Sequence, residues 1–187
     1  MKNPFRIGSS IYLRTLERED APLFVTWLND PEVTRTLNLY RPVDLVSEEE
    51  FIATIPKSDH DFVFGVAVKA SDQLIGTTGL HDIDWKNRHG NFGINIGAKQ
   101  EWGKGYGSEA TALTLQYAFE TLNLHRVRLL VFETNARAIR TYEKVGFQRE
   151  GLLREDRFHE GRYWNTITMA MLQEEWARVK SAGVKAD

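Results

Sequence analysis

The segment from Asn91 to Phe119 constrains the fold more than any other part of the chain. It begins with an alternating run at 92–96, which predicts a β-strand. A glycine-rich turn follows, and apolar residues then recur at helical spacing, at Ala112, Leu115, Phe119 and Leu122. A strand, a glycine turn and a helix in this order are typical of a phosphate site, because the amides at a helix start are unpaired and the helix dipole favours negative charge.

The turn itself reads Trp102-Gly103-Lys104-Gly105-Tyr106-Gly107-Ser108. Its three glycines let the backbone approach an anion closely and adopt a positive φ where the turn requires one. A side chain at Gly105 would stand where a phosphate oxygen belongs. The alternative interpretation is a flexible connection between strand and helix that binds nothing.

Two nucleotide-binding patterns are excluded. No stretch has the Gly-x-x-x-x-Gly-Lys-Ser/Thr pattern of the P-loop. The dinucleotide fingerprint fails because Ala110 stands where its last glycine is required, and because the turn lies past the middle of the chain.

Composition limits the remaining function classes. The chain has 187 residues, enough for one domain over 1–187 with a substantial core. Its net charge of −2 argues against a nucleic-acid-binding protein, which usually has a basic excess. With no cysteine there are no disulfides, thiolate metal sites or cysteine nucleophiles, and we expect no metal. Without an apolar run of roughly 18 residues or a signal peptide's apolar core, we expect a cytoplasmic protein that does not bind membranes.

The other predicted strands lie at 11–16, 62–68, 74–80 and 126–132, followed by a hairpin with Glu160-Gly161 at its turn. Helices are predicted to start near Glu19 or Asp20, from an N-cap at Ser47, and from an N-cap at Asn135 to Gly146. The segment 32–45 is either a loop or short helix that lines a substrate mouth, or a plain surface connection.

Taken together, these elements and residues resemble the GNAT superfamily of acetyl-CoA-dependent N-acetyltransferases. The resemblance rests on Trp102 to Ala110, on Asn135 to Phe147 (Asn-x-x-Ala-x-x-x-Tyr-x-x-x-Gly-Phe), and on Trp27 to Val33. The last of these, with Gly161-Arg162-Tyr163, is similar to the branch of ribosomal-protein N-terminal and polyamine acetyltransferases. The resemblance implies an α+β fold: a mixed, mostly antiparallel sheet of about seven strands, splayed between the two strands that flank the cofactor helix, with helices on both faces.

The resemblance also implies roles for individual residues. The glycine turn, from Trp102 to Ser108, would hold the pyrophosphate of acetyl-CoA. The pantetheine arm would enter the gap beside the strand ending at Ile96, whose amide would face the thioester carbonyl. Asn135 and Ala138 would lie beside the pantetheine, and Tyr142 would protonate the departing thiolate. Acceptor-binding residues would be Trp27, Glu32 and Asn91.

Two positions depart from the family. Trp102 stands where arginine or glutamine is usual, and Asn91 stands where many relatives have a glutamate that acts as base. An amide cannot accept a proton, so any general base must lie elsewhere. Asp82 is our first candidate, and the alternatives are His81, Asp84, His89 and Glu133.

The expected reaction is therefore acetyl transfer from acetyl-CoA to a primary amine by direct attack on the thioester. The acceptor remains open among a peptide N-terminus, a polyamine, an aminoglycoside and an amino-sugar, as does the choice between monomer and homodimer. Glu32 is predicted to draw a cationic acceptor. The rival interpretation is an acyl-CoA-binding sensor without turnover. Asn91 favours the sensor, whereas Tyr142 and Asn135 favour the enzyme.

Overall fold

A computed structural model describes residues 1–181, in which eight strands form one sheet of order β1-β2-β3-β4-β5-β6-β8-β7. The strands are β1 (Pro4–Ile7), β2 (Ile11–Arg14), β3 (Phe62–Val68), β4 (Leu74–Asp84), β5 (His89–Ile96), β6 (Arg126–Phe132), β7 (Gln148–His159) and β8 (Arg162–Leu172). Only β5 and β6 are parallel neighbours. The predicted α+β fold is confirmed, and β1 is the strand that sequence reasoning missed.

The helices are α1 (Ala21–Leu28), α2 (Pro31–Thr34), α3 (Leu45–Thr54), α4 (Tyr106–Gln116), α5 (Ala136–Val145) and α6 (Gln173–Ser181). The crossover between the parallel strands β5 and β6 contains α4, which a π-helical turn at Tyr117–Thr121 extends. Every residue of β2 is buried, as is nearly all of β3. Because successive side chains of a strand point to opposite faces, the sheet is covered on both faces there.

The predicted N-cap at Ser47 is wrong. Helix α3 begins earlier, at Leu45, because Asp44 is its N-cap and its carboxylate accepts a hydrogen bond from the Ser47 amide at 2.9 Å. Aspartate caps a helix as well as serine does, so the sequence alone could not show which of Asp44 and Ser47 is the N-cap.

Helix α4 is held in place by two buried polar contacts. The Glu109 carboxylate accepts hydrogen bonds from the Ser10 amide at 2.9 Å and from the Ser9 hydroxyl at 3.1 Å, which ties the helix to the β1–β2 turn. The hydroxyls of Thr78 on β4 and Thr114 on α4 lie 3.0 Å apart. These contacts fix the start of α4, and with it the glycine turn, against the sheet.

The sheet splays between its two parallel strands. Pairing of β5 with β6 runs from His89↔Arg126 to Asn91↔Arg128 and then stops. Beyond that point β5 continues to pair with β4 as far as Ile96, and β6 continues to pair with β8 as far as Phe132. The second halves of the two strands therefore diverge, as predicted, and leave a gap between them.

Candidate active site

A cleft of about 1210 Å³ opens where β5 and β6 diverge. Its walls are residues 92–96 of β5, residues 130–132 of β6, the glycine turn and the first half of α5. Its outer end is bounded by residues 35–38, here called the mouth loop, and by residues 159–164 around the β7–β8 turn, here called the hairpin tip. Elements that are distant in sequence thus meet at one cavity.

The glycine turn forms the anion-binding end of this cleft. Gly103 and Gly105 have φ values of +78° and +83°, in the left-handed region that glycine adopts most easily. Gly105 is the N-cap of α4 and no side chain caps the helix, so the amides of its first turn lack protein partners there. A Cβ placed on Gly103 or Gly107 would meet no atom within 4 Å. The turn therefore presents open backbone donors, the arrangement that a pyrophosphate fits.

Trp102 fixes the turn to the end of β5. Its indole N–H donates a hydrogen bond to the Ile96 carbonyl at 2.6 Å. The guanidinium of Arg137, from α5, lies 4.4 Å from the centre of the indole ring. Both side chains line the cleft. Arg137 therefore places a positive charge beside the glycine turn, although position 102 itself is a tryptophan. The sequence analysis did not identify Arg137 as a site residue.

Helix α5 supplies the groups along the inner wall. The side chain of Asn135 caps the helix by accepting a hydrogen bond from the Ala138 amide at 3.1 Å, and Gly146 ends the helix with a φ of +112°. Tyr142 is buried between the rings of Phe92 and Phe147, whose centres lie 6.0 Å and 5.8 Å away.

Burial determines the protonation of Tyr142. Desolvation raises its pKa from 10.0 to about 12, so the hydroxyl keeps its proton throughout the neutral range. No group within residues 1–181 forms a hydrogen bond with this hydroxyl, and the residue lines the cleft. Tyr142 can therefore act as a proton donor to an anion that forms in the cleft.

The outer end of the cleft is charged. Glu32 lines it, as predicted for an acceptor residue, but its carboxylate is 3.0 Å from the ammonium of Lys99. Arg35 of the mouth loop and Glu160 of the hairpin tip face each other at 3.8 Å. The sequence left the segment 32–45 open between a mouth-lining element and a plain surface connection, and residues 32–38 of it line the cleft except Thr34. The sequence analysis missed the hairpin tip, for which the Gly161-Arg162-Tyr163 motif was the available signal.

Three predicted site residues do not line the cleft. Trp27 is buried, and it occupies the space that a side chain at Gly97 would need. The Asn91 amide donates to Asp82 at 2.9 Å and accepts from Arg128 at 2.7 Å, just before β5 reaches the cleft. The roles of Trp27, Asn91 and Asp82 stay predictions.

The remaining candidate bases also lie outside the cleft lining, and all four are engaged with neighbours, His89 through a 3.7 Å contact with Asp84. Glu133 accepts two hydrogen bonds from Asn165, both at 3.0 Å. His81 lies 3.5 Å from Asp61. Asp84 accepts two hydrogen bonds from Asn87, at 2.9 Å and 2.7 Å.

The comparisons with known proteins agree with this geometry. The model of the acetyltransferase (GNAT) domain matches residues 10–148. The chain belongs to the GNAT acetyltransferase family. It is 33% identical over 168 residues to the uncharacterized N-acetyltransferase p20 of Bacillus licheniformis, covering 88% of this chain and 94% of that protein. It is 32% identical over 170 residues to a spermidine N(1)-acetyltransferase of Vibrio cholerae, covering 91% and 97%.

A solved structure gives the same assignment. The crystal structure of spermidine N-acetyltransferase from Vibrio cholerae in complex with CoA and spermine superimposes with a TM-score of 0.85 at 30% identity, over 91% of this chain and 99% of that one. The GNAT chain described here is an N-acetyltransferase that transfers an acetyl group from acetyl-CoA to an amine. None of the helices within residues 1–181 is long and apolar enough to cross a membrane.

Proposed function

We propose that this enzyme acetylates α-amines of the peptide N-terminal type, by direct attack of the amine on the acetyl-CoA thioester. The observation that carries the proposal is the splayed β5–β6 gap, which lies between the glycine turn and Tyr142 and whose strand segments, residues 92–96 and 130–132, carry no carboxylate or imidazole.

Cofactor binding is assigned to the glycine turn and α5. The free amides of the first turn of α4 would hold the pyrophosphate, and Arg137 would add a positive charge beside it. Its stacking on Trp102 orders the guanidinium before the phosphates arrive, so less conformational entropy is lost on binding.

The thioester would lie along the free edge of β5. Past Asn91 this edge has lost its pairing with β6, so its backbone groups are available to the pantetheine amides and to the oxyanion that forms on the thioester carbonyl. When the tetrahedral intermediate collapses, the C–S bond breaks and the thiolate takes a proton from Tyr142. The sulfur gains negative charge as the C–S bond breaks, and donation from the Tyr142 hydroxyl at that moment lowers the cost of expelling this leaving group, while the proton that the attacking amine releases restores the neutral tyrosine.

The acceptor class follows from the proton balance. The amine must be neutral to attack. In the described chain, residues 92–96 and 130–132 carry no carboxylate or imidazole. The carboxylates and the imidazole of the cleft belong to other elements, at Glu32, Glu101, Glu160 and His159, and we infer that the amine loses its proton to water. An α-amine has a pKa of about 8 and a lysine-type amine about 10.4, a difference of roughly 3 kcal/mol in the supply of neutral amine near pH 7. That difference favours α-amines.

Polyamines are the second candidate acceptor, because two of the relatives named above are spermidine acetyltransferases. A polyamine site needs free carboxylates to hold the additional ammonium groups. The carboxylate predicted for that purpose is that of Glu32, which here forms an ion pair with Lys99. Asp30 also forms an ion pair with Lys99, at 2.7 Å. A cationic acceptor would have to compete with Lys99.

The test is thiol release from acetyl-CoA with an N-terminally free tripeptide amide, an amino-sugar and spermidine, with products identified by mass. We expect kcat/KM near pH 7 to be highest for the tripeptide and to rise with pH through the acceptor's own pKa. Spermidine turnover that exceeds peptide turnover and is already flat by pH 7 would refute the proposed acceptor. Stabilisation by acetyl-CoA without thiol release on any amine would instead identify a sensor.

A further inference from the structure

Arg162, in the hairpin tip, is an ordered cation at the outer end of the cleft. It lines the cleft, and its guanidinium lies 3.5 Å from the centre of the Trp164 ring. The Trp164 indole is itself held by a hydrogen bond to the His159 carbonyl at 3.2 Å. The Arg162 guanidinium therefore lies against the Trp164 ring, which is itself fixed by its hydrogen bond to the His159 carbonyl. Within the part of the chain that the structure describes, Arg162 forms no ion pair.

Every carboxylate that lines the cleft, by contrast, already has a resident cation. Glu32 is paired with Lys99 at 3.0 Å, and Glu101 is paired with Lys104 at 2.9 Å. Glu160 lies between Arg35 at 3.8 Å and His159 at 3.7 Å.

These pairs are mostly exposed and individually weak, but they leave Arg162 as a cation of the cleft lining that no carboxylate within residues 1–181 neutralises.

We infer that the acceptor carries a carboxylate, set back from its amine, which Arg162 binds. This inference rests on the proposed function, whose acceptor it specifies. A guanidinium binds a carboxylate through two parallel N–H···O bonds, and stacking on an aromatic ring fixes the plane that such a pair requires. An unpaired arginine fixed on a tryptophan beside a substrate cleft is suited to that recognition.

The position of Arg162 places it well beyond the paired part of β6. Strand β8 pairs with β6 as far as Thr166↔Phe132 and then extends past the end of β6 to Arg162. Four residues of strand span about 13 Å. We therefore assign the carboxylate to a residue after the first, which makes the acceptor class a peptide N-terminus followed by an acidic side chain.

The test uses C-terminally amidated tetrapeptides with N-terminal alanine and with one Glu, Gln or Lys at position two, three or four. The α-amine is the same in all, so kcat/KM reports the side-chain charge. We expect Glu to exceed Gln by about tenfold at one position, which is the value of a charge-assisted hydrogen bond, and Gln to exceed Lys. Arg162→Gln should bring the Glu/Gln ratio close to one by lowering kcat/KM for the Glu peptide, and Arg162→Lys should restore part of the ratio.

Arg154→Gln is the matched control, because Arg154 is an exposed arginine on the same hairpin outside the cleft lining. It should leave the Glu/Gln ratio unchanged. Equal rates for Glu, Gln and Lys peptides, or a ratio that survives Arg162→Gln, would overturn the inference while acetyl transfer itself stands. Turnover of spermidine but of no peptide would also overturn it. Absence of transfer to every amine would instead overturn the proposed function.

Discussion

Replacing Tyr142 by phenylalanine separates its chemical role from its packing role. The phenylalanine ring keeps the contacts with Phe92 and Phe147. If the hydroxyl protonates the thiolate, kcat should fall by about 10²-fold or more, which corresponds to about 2.7 kcal/mol of transition-state stabilisation. The KM for acetyl-CoA should change little, because the hydroxyl acts only as the C–S bond breaks.

The same substitution should also change how the unfolding free energy depends on pH, in a direction that follows from the burial of Tyr142. The pKa of Tyr142 is raised to about 12 in the folded state, above its unfolded value of 10.0. The folded chain therefore keeps this proton after the unfolded chain has lost it, so the associated stability is complete below pH 10 and is lost as pH rises towards 12. Relative to Tyr142→Phe, the wild type should lose about 1.4 kcal/mol of unfolding free energy between pH 8 and pH 11.

The assays are steady-state thiol release and urea unfolding at several pH values. Tyr117→Phe is the matched control, since Tyr117 is equally buried and has aromatic neighbours but lies outside the cleft lining. It should leave kcat unchanged. An unchanged kcat in Tyr142→Phe would show that Tyr142 only packs. An equal difference in unfolding free energy between wild type and Tyr142→Phe at pH 8 and at pH 11 would refute the burial of a neutral hydroxyl.

Three further predictions concern other parts of the molecule. Gly105→Val should abolish acetyl-CoA binding in calorimetry while circular dichroism stays native, because a branched side chain at a φ of +83° disturbs the turn and blocks the anion; near-normal affinity would contradict this. Asn91→Glu should raise kcat/KM for alkyl amines more than for α-amines, since it places a carboxylate that can accept a proton where β5 leaves β6, between Asp82 and Arg128; an equal effect on both would count against it. Asp20→Asn should cost about 3–5 kcal/mol in urea unfolding, because it leaves buried Arg14 without its paired carboxylate, and a loss under 1 kcal/mol would argue that the pair is dispensable.

Acid unfolding provides a second measure of the Asp20–Arg14 pair. Burial by itself would raise the pKa of Asp20, but the hydrogen bonds from Arg14 hold that pKa below its ordinary value. The stability of the pair is therefore present above the unfolded pKa and is lost as pH falls through the lower folded pKa.

Local sequence determined the elements that build the cofactor end of the site. The run at 92–96, the glycine turn and the apolar spacing after it predicted β5, the turn and α4, because each depends on contacts within a few residues. Asn135 and Gly146 bound α5 as predicted, since caps are also local. Strand β1 has only four residues, too few for an alternating pattern to predict it. The Asp44 cap was missed because Ser47, three residues later, is an equally good cap signal.

Tertiary structure alone decided which charges meet at the cleft. The Lys99–Glu32 and Arg35–Glu160 pairs join residues that are far apart in the chain. The first depends on how α2 approaches the turn after β5, and the second on how the mouth loop approaches the hairpin tip. The point at which β5 leaves β6 was also set by long-range pairing, which has no signature in either strand. Sequence therefore determined the family and the phosphate-binding turn, whereas the acceptor end, built from side chains of separate elements, required the fold.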